Sequence, residues 1–323
     1  MFFLFKLTIS ILLMLYALSK INLDQVMAII LRVNAGGMIL VFILSLFSLI
    51  LLAFRWGKLL EAFYPTLNFF TVLKYYWQGQ FLSLFLPSAL SGDLARIYQF
   101  TKKHGQVVEI ITVGLADKLL GFFTIGVLAT SAFIWGNYFL DTKFPSYFLY
   151  LIVIFWIVIL FTSLILIFAS KLVVFHDLIK YFRQEIILAK FSKSFRFYRY
   201  HPGMLIGAFS ASVIANLVAI IASYVAARIL GINVVPLYFF MVSFLISLVL
   251  IIPISVNGFG LQDGAFVFLF SQAGINASSA LSLSLILHFF RYIVYLPGGL
   301  FFLLFNENNV LFKDINHKLL NGE

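Results

Sequence analysis

Apolar residues run in long stretches along this chain, with polar residues gathered between them. Six stretches, residues 2–18, 37–56, 109–135, 146–170, 202–228 and 277–303, each approach the ~20 residues a helix needs to cross the hydrocarbon core. They predict six membrane-spanning helices. Between the second and third, QFLSLFLPSALSGDLARIYQF breaks a hydrophobic run at Pro87 and Gly92. Between the fifth and sixth, VLIIPISVNGFGLQDGAFVFLF breaks at Pro253 and Gly258. Both breaks have the form Pro-x4-Gly, and an acidic residue follows each, Asp93 and Asp263. Each predicts a re-entrant helical hairpin, because a helix interrupted inside the membrane frees backbone N–H and C=O groups that need a polar cavity.

Loop charges orient these elements. Residues 171–201 carry Lys171, Lys180, Arg183, Lys190, Lys193, Arg196 and Arg199 against Asp177 and Glu185, so this loop is expected on the cytoplasmic side. Its apolar spacing, Ile179, Phe182 and Ile186, suits a helix lying on the membrane surface. Counting backward puts Lys102 and Lys103, Arg55 and Lys58, and the N terminus on the cytoplasmic side. Counting forward, the Pro253 hairpin enters from outside, and the sixth span returns to a cytoplasmic tail, 306–323. Span, hairpin, span over 37–135 is thus expected to recur upside down over 202–303, within one transmembrane domain covering 1–305.

Composition agrees with a lipid solvent. With 63% hydrophobic and 11% charged residues, the chain has too little polar surface to cover a water-soluble globule. The stretch from Phe2 to Leu18 lacks a basic start and a small-x-small cleavage site, so it reads as a span and not as a signal peptide. The net charge of +10 sits at the ends of apolar stretches, which points to anionic lipid and away from nucleic acid. Without cysteine there is no disulfide, thiolate nucleophile or cysteine metal site, and no motif calls for a cofactor or metal. The setting expected is the plasma membrane of a prokaryote.

Six charges fall where a bilayer penalises them, at roughly 2.5–3.5 kcal/mol each: Asp93, Arg96, Asp117, Lys118, Asp263 and Arg291. Asp117 is too short to reach the interface and must face protein or water, whereas Lys118 has a stem long enough to snorkel. Neighbours on a helix point about 100° apart, so these two are not expected to pair. Asp93 has two readings, a cap on a half-helix or a ligand contact, and Asp263 has the same two. Arg96 shares a face with Asp93 and can pair with it. Arg291, in mid-span, calls for a carboxylate or phosphate. His288 lies one turn away, either as a proton relay or simply hydrogen-bonded. Helix starts after Gly92 and Gly258 are expected to aim N–H groups at a cavity, where they and the basic residues suit an anionic or zwitterionic lipid head group.

At these residues the chain resembles the flippase-like transmembrane family that includes the membrane half of lysylphosphatidylglycerol synthases. The matching segments are FLPSALSGDLARIY (85–98), VGLADKLLGFF (113–123), PISVNGFGLQDGAFVF (253–268) and LHFFRYIVYLPGGL (287–300). The resemblance implies a lipid-translocating module whose polar positions are Gly92, Asp93, Arg96, Asp117, Lys118, Asn257, Gly258, Asp263 and Arg291. Two departures stand out. The family commonly has arginine where Lys118 stands, and an Arg-Glu pair where Gln262-Asp263 stands. The synthases also append a soluble aminoacyl-transfer domain, which the residues after Phe302 are too few to supply.

Three functions follow as expectations. The first is a carrier moving an anionic, aminoacylated or isoprenoid-linked lipid between leaflets. The second is a scaffold for a separate lipid-modifying glycosyl- or aminoacyl-transferase. The third is a membrane enzyme with Asp117 or His288 as base.

Overall fold

The structure, a computed structural model, describes residues 34–85, 91–140, 144–169, 198, 201–251, 255 and 257–304. In chain order the helices are α1 (Ala35–Leu60), α2 (Phe69–Ser83), α3 (Ser91–His104), α4 (Val107–Phe139), α5 (Ser146–Ala169), α6 (Pro202–Ile229), α7 (Pro236–Val249), α8 (Leu261–Gln272), α9 (Ala277–Tyr295) and α10 (Pro297–Leu304). Among the described residues there is no strand. The all-α expectation holds.

Local sequence sets where the helices begin. The side chains of Asn34, Asn68 and Asn276 accept hydrogen bonds from Gly36, Phe70 and Ser279 N–H groups at 2.8, 3.0 and 2.7 Å, capping α1, α2 and α9. Pro202 and Pro236 open α6 and α7, where a missing N–H costs nothing. Pro297 follows Leu296 and divides α9 from α10.

Four helical segments are long and apolar enough to cross a membrane: α1, α4, α6 and Ala277–Phe301, which joins α9 to most of α10. They match the spans expected over 37–56, 109–135, 202–228 and 277–303. The stretch expected over 146–170 is helix α5, apolar over Ser146–Thr162. The stretch 2–18, the tail 306–323, Pro87, Pro253 and all of the basic loop except Tyr198 and His201 lie outside the described residues.

Between the long helices, α2 and α3 form one antiparallel hairpin and α7 and α8 another. Gly79 faces Gly92 near the tip of the first, and Tyr75 meets Phe100 and His104 toward its base. In the second, Leu250 touches Gly258 near the tip, and Tyr238 donates its hydroxyl to Leu269 O at 2.5 Å toward the base. Arms of 12 to 15 residues rise only about 18–23 Å, short of the ~30 Å hydrocarbon core.

Packing joins the two halves of the chain. Helices α1 and α6 lie along each other in opposite directions. Gly37 at the start of α1 abuts Ile229 at the end of α6, Ser48 donates to Ala215 O at 3.0 Å midway, and Lys58 lies over Gly207. The leading arm of each hairpin then packs on the closing helix of the other half, α2 against α10 and α7 against α4. Trp77 Nε1 donates to Val294 O at 2.7 Å, taking up a carbonyl in the last turn of α9, and Gln78 Nε2 donates to Phe301 O at 2.9 Å. Two apolar clusters result. One gathers Trp56, Tyr76 and Phe100, and the other gathers Ile125, Phe239 and Phe266.

Candidate functional site

Asp117, ten residues into α4, is wholly buried and holds two arginines at once. Arg55 Nε from α1 donates to its Oδ1 at 2.6 Å, and Arg96 Nη2 from α3 donates to its Oδ2 at 2.6 Å. Arg96 also lies 3.0 Å from Asp93, whose other oxygen is 2.5 Å from Lys118 Nζ. Five charges on three helices thus form one chain: Arg55, Asp117, Arg96, Asp93, Lys118. Each charge removed from water has an opposite charge in contact, without which burial costs several kcal/mol. Asp117 and Lys118 do not pair with each other, as their angular separation predicts.

Aromatic rings complete the solvation of Arg96. Its guanidinium lies 4.9 Å from the Trp56 ring and 4.5 Å from the Tyr76 ring, and its Nε and Nη1 have no acceptor among the described residues. Ring faces carry negative potential and substitute for those acceptors. Arg55 is held by Ser212 on α6 at 3.0 Å, and Ser212 shares a hydrogen bond of 2.7 Å with Thr124. A Cβ at Gly121 would come within 3.1 Å of Arg55 Nη1, so glycine there makes room for the guanidinium.

In the second half, the chain turns into α8 through left-handed residues, Asn257 (φ 49°), Gly258 (φ 83°) and Gly260 (φ 76°). Asp263 Oδ2 accepts from Gly260 N at 2.8 Å, the geometry of a helix cap, one of its two readings. Its Oδ1 accepts from Ser284 at 2.6 Å and lies 3.2 Å from His288 Nε2, while Phe259 stacks on the His288 ring at 4.3 Å. Asp263 therefore both caps a helix and contacts a histidine. Arg291 has neutral partners. Its Nη2 donates to Gln262 Oε1 at 2.7 Å and its Nη1 to Asn257 O at 3.2 Å, and no carboxylate among the described residues lies within ion-pair distance.

Two adjoining cavities open between the apolar clusters. One, of about 260 Å³, is walled by Arg55, Gly92, Asp93, Asp117 and Lys118. The other, of about 320 Å³, is walled by Gln262, Arg291 and several serines. Tyr76, Gln80, Asn216, Ser247 and Tyr295 belong to both walls.

Of the residues singled out in the sequence, Gly92, Asp93, Asp117, Lys118 and Arg291 line this space. Arg96 stands behind it in the ion chain. Asn257, Gly258 and Asp263 are not on either wall; they build the start of α8 behind Gln262 and Arg291. Gly92 lies inside the first turn of α3, not before it, and it serves close approach: a Cβ there would sit 2.7 Å from Gly79 O. Arg55 is the site residue that sequence reasoning did not single out. It is 6% exposed and bound to Asp117. The signal lay in the apolar residues that continue past it, Trp56, Leu59 and Leu60, all fully buried. With Arg55 the penalised set holds four basic and three acidic residues, so positive charge exceeds negative by one with His288 neutral. Among the described residues no cluster of three or more histidines and carboxylates is placed to hold a metal ion.

The family model described as the lysylphosphatidylglycerol synthase TM region matches residues 3–299. No curated protein and no solved structure matches the chain.

Proposed function

The chain belongs to the lysylphosphatidylglycerol synthase transmembrane-region family, and from that premise we propose a lipid carrier of the flippase type, moving a lipid with a phosphate-bearing head group between leaflets. One observation carries this most directly. Arg291 lines a 320 Å³ cavity inside the helix bundle with only neutral partners among the described residues, and a guanidinium so placed suits an incoming phosphate.

Alternating access is the mechanism that goes with it. Residues 37–135 and 202–303 are read as inverted repeats whose hairpins re-enter the membrane from opposite faces. The antiparallel run of α1 and α6 supports this, as does the reciprocal packing of each leading arm on the other half's closing helix. The cavity lies between the halves, where such carriers bind their cargo. The proposed setting is the plasma membrane of a prokaryote, with both termini cytoplasmic.

The test is a leaflet-exposure assay in liposomes containing this protein alone. Labelled lipid should cross without chemical change, and Arg291→Ala and Asp117→Asn should each suppress crossing while the protein still inserts. Chemical conversion of the lipid would instead indicate an enzyme. Neither crossing nor conversion would leave a scaffold for a separate glycosyl- or aminoacyl-transferase. Unchanged crossing in both variants would discard the site.

A further inference from the structure

We propose that the cavity selects a lipid phosphate whose head group carries hydroxyls and no amine, an inference that rests on this cavity being the head-group site. The walls are asymmetric in charge. Arg291 offers a cation whose partners, Gln262 and the Asn257 carbonyl, are neutral. The carboxylates offer no counterpart: Asp93 and Asp117 are outnumbered by the cations that contact them, Arg55, Arg96 and Lys118. A phosphate entering beside Arg291 gains a charge partner, whereas an ammonium meets carboxylates already over-neutralised by three cations, which is costly away from water.

Beside the apolar residues of the wall, such as Phe239 and Phe266, its remaining polar side chains suit hydroxyls. Ser48, Ser223 and Ser247 already donate to backbone carbonyls at 2.7–3.0 Å, which leaves their oxygens free to accept. Asn216 donates Nδ2 to Thr124 at 2.9 Å, and its Oδ1 remains an acceptor. Gln80, shared by both walls, adds an amide that can donate and accept. Neutral donors and acceptors of this kind recognise a polyol, because each hydroxyl gives and takes a hydrogen bond without bringing charge.

Glycerol and sugar head groups share this chemistry, and binding tells them apart. The full chain in detergent is titrated with short-chain phosphatidylglycerol, a short-chain hexosyl phosphoprenol, phosphatidylethanolamine and lysylphosphatidylglycerol, reading the shift in melting temperature. At least one of the first two should half-saturate at a concentration ten-fold or more below either amine lipid, and the better of them names the polyol. Arg291→Gln should weaken that binding ten-fold or more. Gln262→Glu, which keeps side-chain size while giving Arg291 a carboxylate, should do the same. Equal or tighter binding of an amine lipid, no shift with any of the four, or undiminished affinity in both variants would overturn the proposal. Selective binding without transfer in the liposome assay would remove the carrier reading and leave the selectivity standing.

Discussion

Asp117→Asn changes one atom's identity and leaves two arginines facing an amide. Arg96 retains Asp93 at 3.0 Å and the rings of Trp56 and Tyr76, so most of the loss falls on Arg55, whose other partner is the neutral Ser212. Removing one member of a buried pair costs about 3–5 kcal/mol, because the remaining charge stays out of water without its partner. That is about two to four powers of ten in the ratio of folded to unfolded protein. The double variant Arg55→Met/Asp117→Leu removes the pair together and leaves the net charge unchanged. It should recover at least about 2 kcal/mol relative to Asp117→Asn, since an apolar replacement of a whole pair is often close to neutral. Equilibrium unfolding in mixed micelles, followed by tryptophan fluorescence, measures both differences. A loss below about 1 kcal/mol in Asp117→Asn, or a double variant no more stable than the single one, would refute the claim that Asp117 neutralises Arg55.

Gly79→Ala should destabilise by about 1–3 kcal/mol in the same unfolding assay, because the new Cβ would stand 2.6 Å from Gly92 O and 2.8 Å from Arg96 Cβ, forcing the hairpin arms apart. Tyr76→Phe keeps the ring face under Arg96 and should stay within about 0.5 kcal/mol of the parent. Tyr76→Leu removes that face and should cost about 1–2 kcal/mol more than the phenylalanine variant; equal stabilities would show that the ring does not solvate the guanidinium.

Elements that punctuate the chain locally were legible in its sequence. Apolar length marked the long helices, and a break in the apolar run marked each hairpin. Pairings across helices were not. Arg55 lies near the end of an apolar run, the place where an interfacial anchor also lies, and only the approach of α4 distinguishes the two. Gly92 read as a helix start, yet its lack of a side chain serves contact with Gly79, which no linear spacing announces. Arg96 with Asp93 was legible because both lie on one helix three residues apart. Arg291 signalled the need for a partner, but that the partner would be Gln262 depended on how α8 meets α9.

The hydrogen bonds from Trp77 and Gln78 bear on how such a molecule could deform. They fasten the first hairpin to residues more than two hundred positions later, while α7 of the second hairpin rests on α4. Any rearrangement that widens the central space must therefore carry a hairpin and the opposite half's final helix as one block, or break these bonds. In the proposed carrier the hinge boundaries then cut across the proposed repeats instead of following them, and a cross-link from position 77 to 294 should be tolerated through a full transport cycle.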